Sequence, residues 1–151
     1  MATFLEDLYD RFHELHIDLI KTVEGLPPAV LDWAPGREMN SINALVVHLT
    51  GAERYLIGVV LDEPPERDRD AEFKAHGLSG EQLKEMLTGA DDYILQGLKR
   101  FSAQNLESVH ISPRSQKKVT ASWAILHALE HTAIHAGHAQ LTRQLWEQRK
   151  V

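Results

Sequence analysis

Apolar residues recur at helical spacing along four long segments of this chain, and the strict alternation typical of a β-strand is hard to find. The first segment opens at Thr3, with Glu6 three residues later in the capping-box pattern, and ends before Gly25. Its apolar stripe consists of Leu5, Leu8, Phe12, Leu15, Leu19 and Val23. The pattern predicts a first amphipathic helix.

Two further segments predict the second and third helices. Asn40 or Ser41 can cap a second helix that runs to about Leu61. Ser79, with Gln82 three residues later, starts a third helix. The charged, broken stretch 63–78 between them predicts a loop with a short turn of helix.

The last predicted helix follows a connection over residues 105–118 that contains Pro113. Thr120 or Ser122 can cap this helix, which runs nearly to the C-terminus. The four long helical segments predict an all-α bundle. The 151 residues fit a single domain over 1–151, with enough chain for a sizeable core.

Composition narrows the function classes. Sixteen basic residues stand against twenty-two acidic ones, dispersed along the chain without a basic tract, so nucleic acid is not expected as a partner. The chain has no cysteine, so a site for a soft metal has to use histidine. We expect a cytoplasmic protein without membrane contact, because no signal peptide or membrane-spanning stretch is found.

Histidines form the most distinctive pattern. His131 and His135 are four residues apart in the last helix, so their rings project from one face. At 100° per residue, His127 and His138 fall within about 40° of His131 on the same stripe. His48 lies on the core-facing stripe of the second helix.

Two interpretations of these histidines are open. A single buried histidine usually finds a backbone partner, and a lone His pair four residues apart is often a surface coincidence. Three imidazoles on two inward faces instead suit zinc, nickel, cobalt or copper and leave a coordination position for water or substrate. A di-iron site is a weaker alternative, because the only Glu-x-x-His motif, at Glu107 and His110, lies beside a proline-containing loop.

Two segments carry a resemblance to a known family. Residues 40–55 read NSINALVVHLTGAERY, and residues 130–143 read EHTAIHAGHAQLTR. Together they resemble the DinB-like (DinB/YfiT-like) superfamily of metal-dependent enzymes, in particular its small-DinB branch. The resemblance implies an up-down-down-up four-helix bundle. It also implies a divalent metal, zinc or nickel, bound by His48, His131 and His135.

Characterised members of that superfamily are transferases or isomerases that use low-molecular-weight thiols such as mycothiol, bacillithiol or glutathione. The resemblance therefore implies a metal-dependent S-transferase or isomerase with a small-molecule substrate. A metal-dependent hydrolase and a non-catalytic, stress-associated metal-binding bundle are the alternatives. His138 is a candidate general acid/base beside the metal. Leu126, Leu129, Ala133 and Ala136 form a second apolar set on the last helix, which predicts a homodimer.

Overall fold

The computed structural model describes residues 3–149. Four long helices make up the bundle: α1 (Phe4–Val23), α3 (Ile42–Val60), α5 (Gly80–Arg100) and α6 (Ala121–Gln148). The connections contain the single-turn helices α2 (Pro28–Leu31) and α4 (Arg69–Glu72), a 3-10 turn (Ala103–Asn105) and the strands β1 (Val109–Ile111) and β2 (Lys118–Thr120). The predicted all-α bundle is confirmed, as is the short helical turn between the second and third long helices.

Each long helix begins directly after a residue whose side chain caps the helix N-terminus. Both predicted capping boxes form, Thr3 with Glu6 and Ser79 with Gln82, so the first free N–H groups of α1 and α5 have acceptors. The other two long helices begin after Ser41 and Thr120, whose hydroxyl oxygens accept from backbone N–H groups.

The long helices form an up-down-down-up bundle. Helix α1 packs against α5 and α6, and α3 packs against the same two helices, so α1 and α3 are diagonal. The start of α5 meets the end of α1, because a Cβ on Gly80 would lie 3.2 Å from the carbonyl oxygen of Val23. Arg143, near the end of α6, donates to the carbonyl oxygen of Thr22 at 2.9 Å. Helix α5 is therefore antiparallel to α1, and α6 is parallel to it.

The connection before α6 contains a short antiparallel hairpin. Strands β1 and β2 pair in the register Val109 with Thr120, His110 with Val119 and Ile111 with Lys118. The sequence pattern did not predict this hairpin. Strands of three residues are too short for a period of two to be distinguished from a loop, and backbone hydrogen bonds between them leave no mark on the sequence.

The second apolar set of α6 is divided by the fold. Leu126 and Ala133 are exposed and Leu129 is half-buried, whereas Ala136 is packed in the core. Trp123, Ile134 and Leu141 extend the exposed apolar stripe. The homodimer stays a prediction. Within residues 3–149, no helix is both long and apolar enough to cross a membrane.

Candidate metal centre

Helix α3 brings His48 into the bundle interior. Its stripe of core-facing neighbours, predicted from the sequence, is buried as expected: Ala44, Leu45, Ala52, Tyr55 and Val59. His48 itself is 3% exposed. A buried imidazole needs polar partners for both ring nitrogens, and the structure provides them on two sides.

The three predicted ligands converge on one point. Nε2 of His48 lies 3.0 Å from Nε2 of His131, which in turn lies 3.2 Å from Nε2 of His135. Helix α3 is antiparallel to α6, because Ile42 at its start shares a core cluster with Ala139 and Ile57 near its end shares one with Ala124. This packing sets the first distance, and the four-residue spacing within α6 sets the second. Within the part of the chain that the structure describes, these three form the one group of ligand-type side chains compact enough to hold a metal ion.

An ion pair from the α3–α5 connection supports His48. Oε2 of Glu72 lies 3.0 Å from Nδ1 of His48, and Arg67 donates from Nε to Oε1 of Glu72 at 2.7 Å. The ring of Phe73 covers His48 with a centroid separation of 4.0 Å. Because α4 carries Glu72 at its end, this short helix orients the histidine ring.

Gly51 makes this arrangement possible. A Cβ at this position would collide with the carboxylate of Glu72 and approach Nε of Arg67 to 3.6 Å. The absence of a side chain on this turn of α3 therefore lets the ion pair lie directly against the helix backbone. Gly51 follows His48 by three residues, so it lies one turn further along the helix.

Protonation states in the cluster suit metal binding. Burial, together with the neighbouring His135 and His48, lowers the pKa of His131 to about 3. Burial and His48 lower the pKa of His135 to about 4. Burial alone would raise the pKa of Glu72, but hydrogen bonds from His48 and Arg67 outweigh it and lower that pKa. His131 and His135 are therefore neutral and Glu72 is ionised at neutral pH.

The donor set fits a divalent cation. Glu72 is placed to accept from Nδ1–H of His48, and in that tautomer a neutral ring presents the lone pair of Nε2 to the cluster. Nδ1 of His131 and of His135 is buried and has no hydrogen-bond partner among the described residues. Imidazole lone pairs that face one point repel one another unless a cation or a shared proton lies between them, and zinc and nickel accept such ligands.

A large cavity opens beside His48 and His131. It has a volume of about 850 Å³ and is bounded by α3, the α3–α5 connection, the hairpin loop and the first turns of α6. Tyr55, Trp123 and His127 lie on its wall. The volume is that of a typical small-molecule pocket.

The other histidines of the α6 stripe lie at different distances from this cavity. His127 lines it, stacks on Trp123 at 4.7 Å and has its ring 6.1 Å from that of His131. His138 is exposed and borders a different cavity with Met39 and Leu45, although its ring is 5.6 Å from that of His135. The structure therefore does not bring His138 to the large cavity, and its catalytic role stays a prediction.

A second buried polar cluster lies between α1, α3 and α5. His16 is 1% exposed, and its Nδ1 and Nε2 each lie 2.9 Å from a carboxylate, of Asp91 and Glu53 respectively. Thr132 donates to the same Oε1 of Glu53 at 2.6 Å. His16 is therefore a core histidine whose two ring nitrogens both have polar partners. Its partners are carboxylates, which charge patterns along one chain did not reveal.

Sequence reasoning missed the groups that support His48. Arg67, Glu72 and Phe73 lie in the stretch 63–78, which was assigned only as a loop with a helical turn. A glycine one turn after a core histidine was the one available signal, because it permits another segment to approach the helix backbone closely.

The family model of the DinB superfamily matches residues 11–139. The chain belongs to the DinB superfamily. A comparison with curated protein sequences finds no significant match.

Several solved structures share the fold. A conserved protein from Enterococcus faecalis superposes with a TM-score of 0.81 and 14% identity, over 96% of this chain and 98% of that one. YfiT from Bacillus subtilis, described as "a probable metal-dependent hydrolase with an unusual four-helix bundle topology", gives a TM-score of 0.76 and 13% identity, over 95% and 89%. A mutant of a mycothiol-dependent maleylpyruvate isomerase gives 0.69 and 14%, over 91% of this chain but 63% of that chain.

Proposed function

We propose that this DinB-superfamily protein is a metal-dependent transferase that uses a low-molecular-weight thiol. His48, His131 and His135 would hold one divalent ion, zinc or nickel. When bound, this ion would supply Lewis acidity that lowers the pKa of a thiol, so that thiolate is available at neutral pH. The thiolate sulfur would then form a bond to an electrophilic carbon of the substrate while the leaving group departs.

One observation carries this proposal: three histidine Nε2 atoms converge beside a cavity, and no fourth ligand closes the site among the described residues. Structural zinc sites are usually closed by four protein ligands, whereas catalytic sites keep a position for substrate or water. This difference favours an enzyme over the alternative of a non-catalytic metal-binding bundle.

The cavity wall limits the side chains that can transfer a proton during the reaction. No aspartate or glutamate lines the cavity, so no carboxylate is placed to act as general base on a water molecule. His127 lies on the wall outside the three candidate ligands, with Nδ1 3.5 Å from Oε2 of Glu130, and it would take up the thiol proton. The description of one structural relative names a mycothiol-dependent isomerase, which supports the thiol, and that of YfiT names a probable metal-dependent hydrolase, which supports the metal and also the hydrolase alternative.

Metal content tests the first part. Elemental mass spectrometry on tag-free protein should find about one equivalent of divalent metal in the wild type and none in His48→Ala or His131→Ala. His76→Ala is the matched control, because His76 is exposed, borders no part of the cluster and should not affect metal content. A wild-type protein that takes up neither zinc nor nickel would contradict the metalloenzyme proposal.

Activity assays test the second part. The zinc-loaded protein is assayed against a panel of small thiols paired with electrophiles, and separately against esters and amides without thiol. Thiol-dependent product formation that is lost in His131→Ala is expected. Hydrolysis without thiol would instead assign the protein to the hydrolase alternative. Metal binding with no turnover in either panel would favour the non-catalytic bundle.

A further inference from the structure

The wall of the large cavity is strongly cationic. Its charged side chains, other than histidine, are Arg67, Arg69, Arg114, Lys117 and Lys118, and none is acidic. The chain as a whole carries a formal net charge of −6. A wall with five cations and no carboxylate therefore does not reflect the overall composition.

Most of this charge is not neutralised within the protein. Arg67 is committed to Glu72. The other four cations form no ion pair with any carboxylate among residues 3–149. Arg69 instead lies over the ring of Phe73, 4.7 Å from its centroid, on the side of the cavity where α4 covers His48.

The hairpin carries three of these cations, and its loop is held in a defined conformation. The hydroxyl oxygen of Tyr55 accepts from the backbone N–H of Arg114 at 3.0 Å and lies 3.0 Å from Oγ of Ser112. Within the loop, Ser112 N–H donates to the carbonyl oxygen of Lys117 at 2.9 Å, and Gln116 N–H donates to that of Ser112 at 2.8 Å. The loop backbone is thus fixed before a ligand arrives, which reduces the ordering cost of binding.

Tyr55 also joins the loop to the metal centre. It lies on α3, the helix that carries His48, and is 8% exposed. One rigid helix therefore positions both a candidate metal ligand and the anchor of the cationic loop. The two features face the same cavity, so one small molecule can contact both.

From this arrangement we propose that the cavity binds a small anionic molecule whose carboxylate or phosphate groups contact Arg69, Arg114 and Lys118, with its other end at the histidine cluster. This inference rests on the proposed function, because it assigns the substrate class of the same site. Arginine suits either oxyanion, since its planar donors can form two parallel hydrogen bonds. Removal of each cation would weaken binding by about tenfold where a charged hydrogen bond is lost.

Binding can be measured without catalysis. Backbone amide spectra of the ¹⁵N-labelled protein are recorded during titration with succinate, with inorganic phosphate and with the neutral isostere succinamide. Each titration is run at low ionic strength on metal-free and on zinc-loaded protein. Saturable shifts in the amides of residues 109–120 are expected with succinate or phosphate and not with succinamide. The anion that binds with the lower dissociation constant identifies whether the wall prefers a carboxylate or a phosphate.

Two charge-matched double variants locate the binding site. Arg114→Gln with Lys118→Gln should weaken anion binding by at least about tenfold. Lys84→Gln with Lys99→Gln removes the same charge from exposed positions of α5. This control variant should bind the anion with an affinity within about twofold of the wild type. Equal weakening by both variants would show only a long-range field effect and overturn the proposal. Unchanged binding in the first variant would overturn it as well.

Failure of this inference and failure of the proposed function give different results. Zinc binding without saturable anion binding would overturn the anionic substrate class and would not affect the proposal of a metalloenzyme. Anion binding at the hairpin of a protein that takes up no metal would support the cationic site while contradicting the metal-dependent reaction. Equal binding of succinamide and succinate would overturn the inference alone.

Discussion

Oε2 of Glu72 lies 3.0 Å from Nδ1 of His48, on the side of the ring opposite to the contact with His131. A carboxylate behind a ligating histidine fixes the ring orientation and the tautomer, and it raises the basicity of the other nitrogen. This relationship links a four-residue helix in a surface connection to the centre of the bundle. It is the basis of the first two predictions.

Replacement of Glu72 by Gln should reduce zinc affinity by about 10–100-fold while leaving the fold intact. The neutral amide does not hold Nδ1–H as firmly and no longer pairs with Arg67. Zinc affinity is measured by competition with a chromogenic chelator. Asp70→Asn on the same short helix is the control, since Asp70 is exposed. Zinc affinity equal to that of the wild type in Glu72→Gln would show that the carboxylate does not support the metal ligand.

Gly51→Ala should also reduce zinc affinity, although residue 51 contacts no metal ligand. The added methyl group would occupy the position of the Glu72 carboxylate and displace it from His48. Gly137→Ala in α6 is the control, because a Cβ there meets no atom within 4 Å. That control should keep full zinc affinity and gain about 0.5–1 kcal/mol of stability from reduced backbone entropy. Equal zinc affinity in the two variants would contradict the close packing at Gly51.

His127 and His138 should differ in their effects on turnover. Both lie on the histidine stripe of α6, but only His127 lines the large cavity. His127→Gln should retain metal and lose about 10²-fold or more in turnover, the usual effect of losing a general base. His138→Gln should retain metal and turnover within about twofold. A large loss of turnover in His138→Gln, with metal content unchanged, would support the role predicted for it from the sequence.

The buried cluster around His16 should make a large contribution to stability. His16→Leu leaves Glu53 and Asp91 without their cationic partner in the core, which should cost about 3–5 kcal/mol. His13→Leu is the control, because His13 contacts the same Asp91 but its side chain is 46% exposed. That change should cost less than about 1 kcal/mol. The free energy of unfolding of each metal-free variant is measured by urea denaturation. Similar losses in His16→Leu and His13→Leu would contradict the large contribution of the buried His16 ring.

The pH dependence of this stability has a defined sign. Burial alone would lower the pKa of His16, but Glu53 and Asp91 outweigh it and raise that pKa above 6.5. Its contribution is therefore complete below pH 6.5 and is lost as the pH rises through the raised value. Burial alone would raise the pKa of Asp91, but its hydrogen bonds lower it below 3.8, so its contribution is lost only in stronger acid.

The difference in unfolding free energy between wild type and His16→Leu should accordingly be largest between about pH 4 and 6.5 and shrink at alkaline pH. His131 and His135 act in the opposite direction in metal-free protein, since their lowered pKa values make the fold less stable as the pH falls below 6.5. Both proteins share that effect, so the difference removes it. A difference that grows with rising pH would contradict the charged state of His16.

The sequence alone determined the helices, their caps and the three inward histidines, because these depend on interactions within a few residues. The capping boxes at Thr3 and Ser79 and the spacing of His131 and His135 are such local features. Resemblance to the DinB superfamily then supplied the bundle topology and joined His48 to the pair. The apolar periodicity of one helix identifies its buried face, but it does not specify which face of another helix packs against it.

Only the tertiary structure decided what surrounds the histidines. The contacts of Glu72 with His48 and of Asp91 with His16 span 24 and 75 residues of sequence, so no local pattern encodes them. The cationic wall likewise combines the stretch 63–78 with a hairpin formed by backbone hydrogen bonds. Such charges are ordinary surface residues in the sequence, and they become a binding wall only where packing brings them to one cavity.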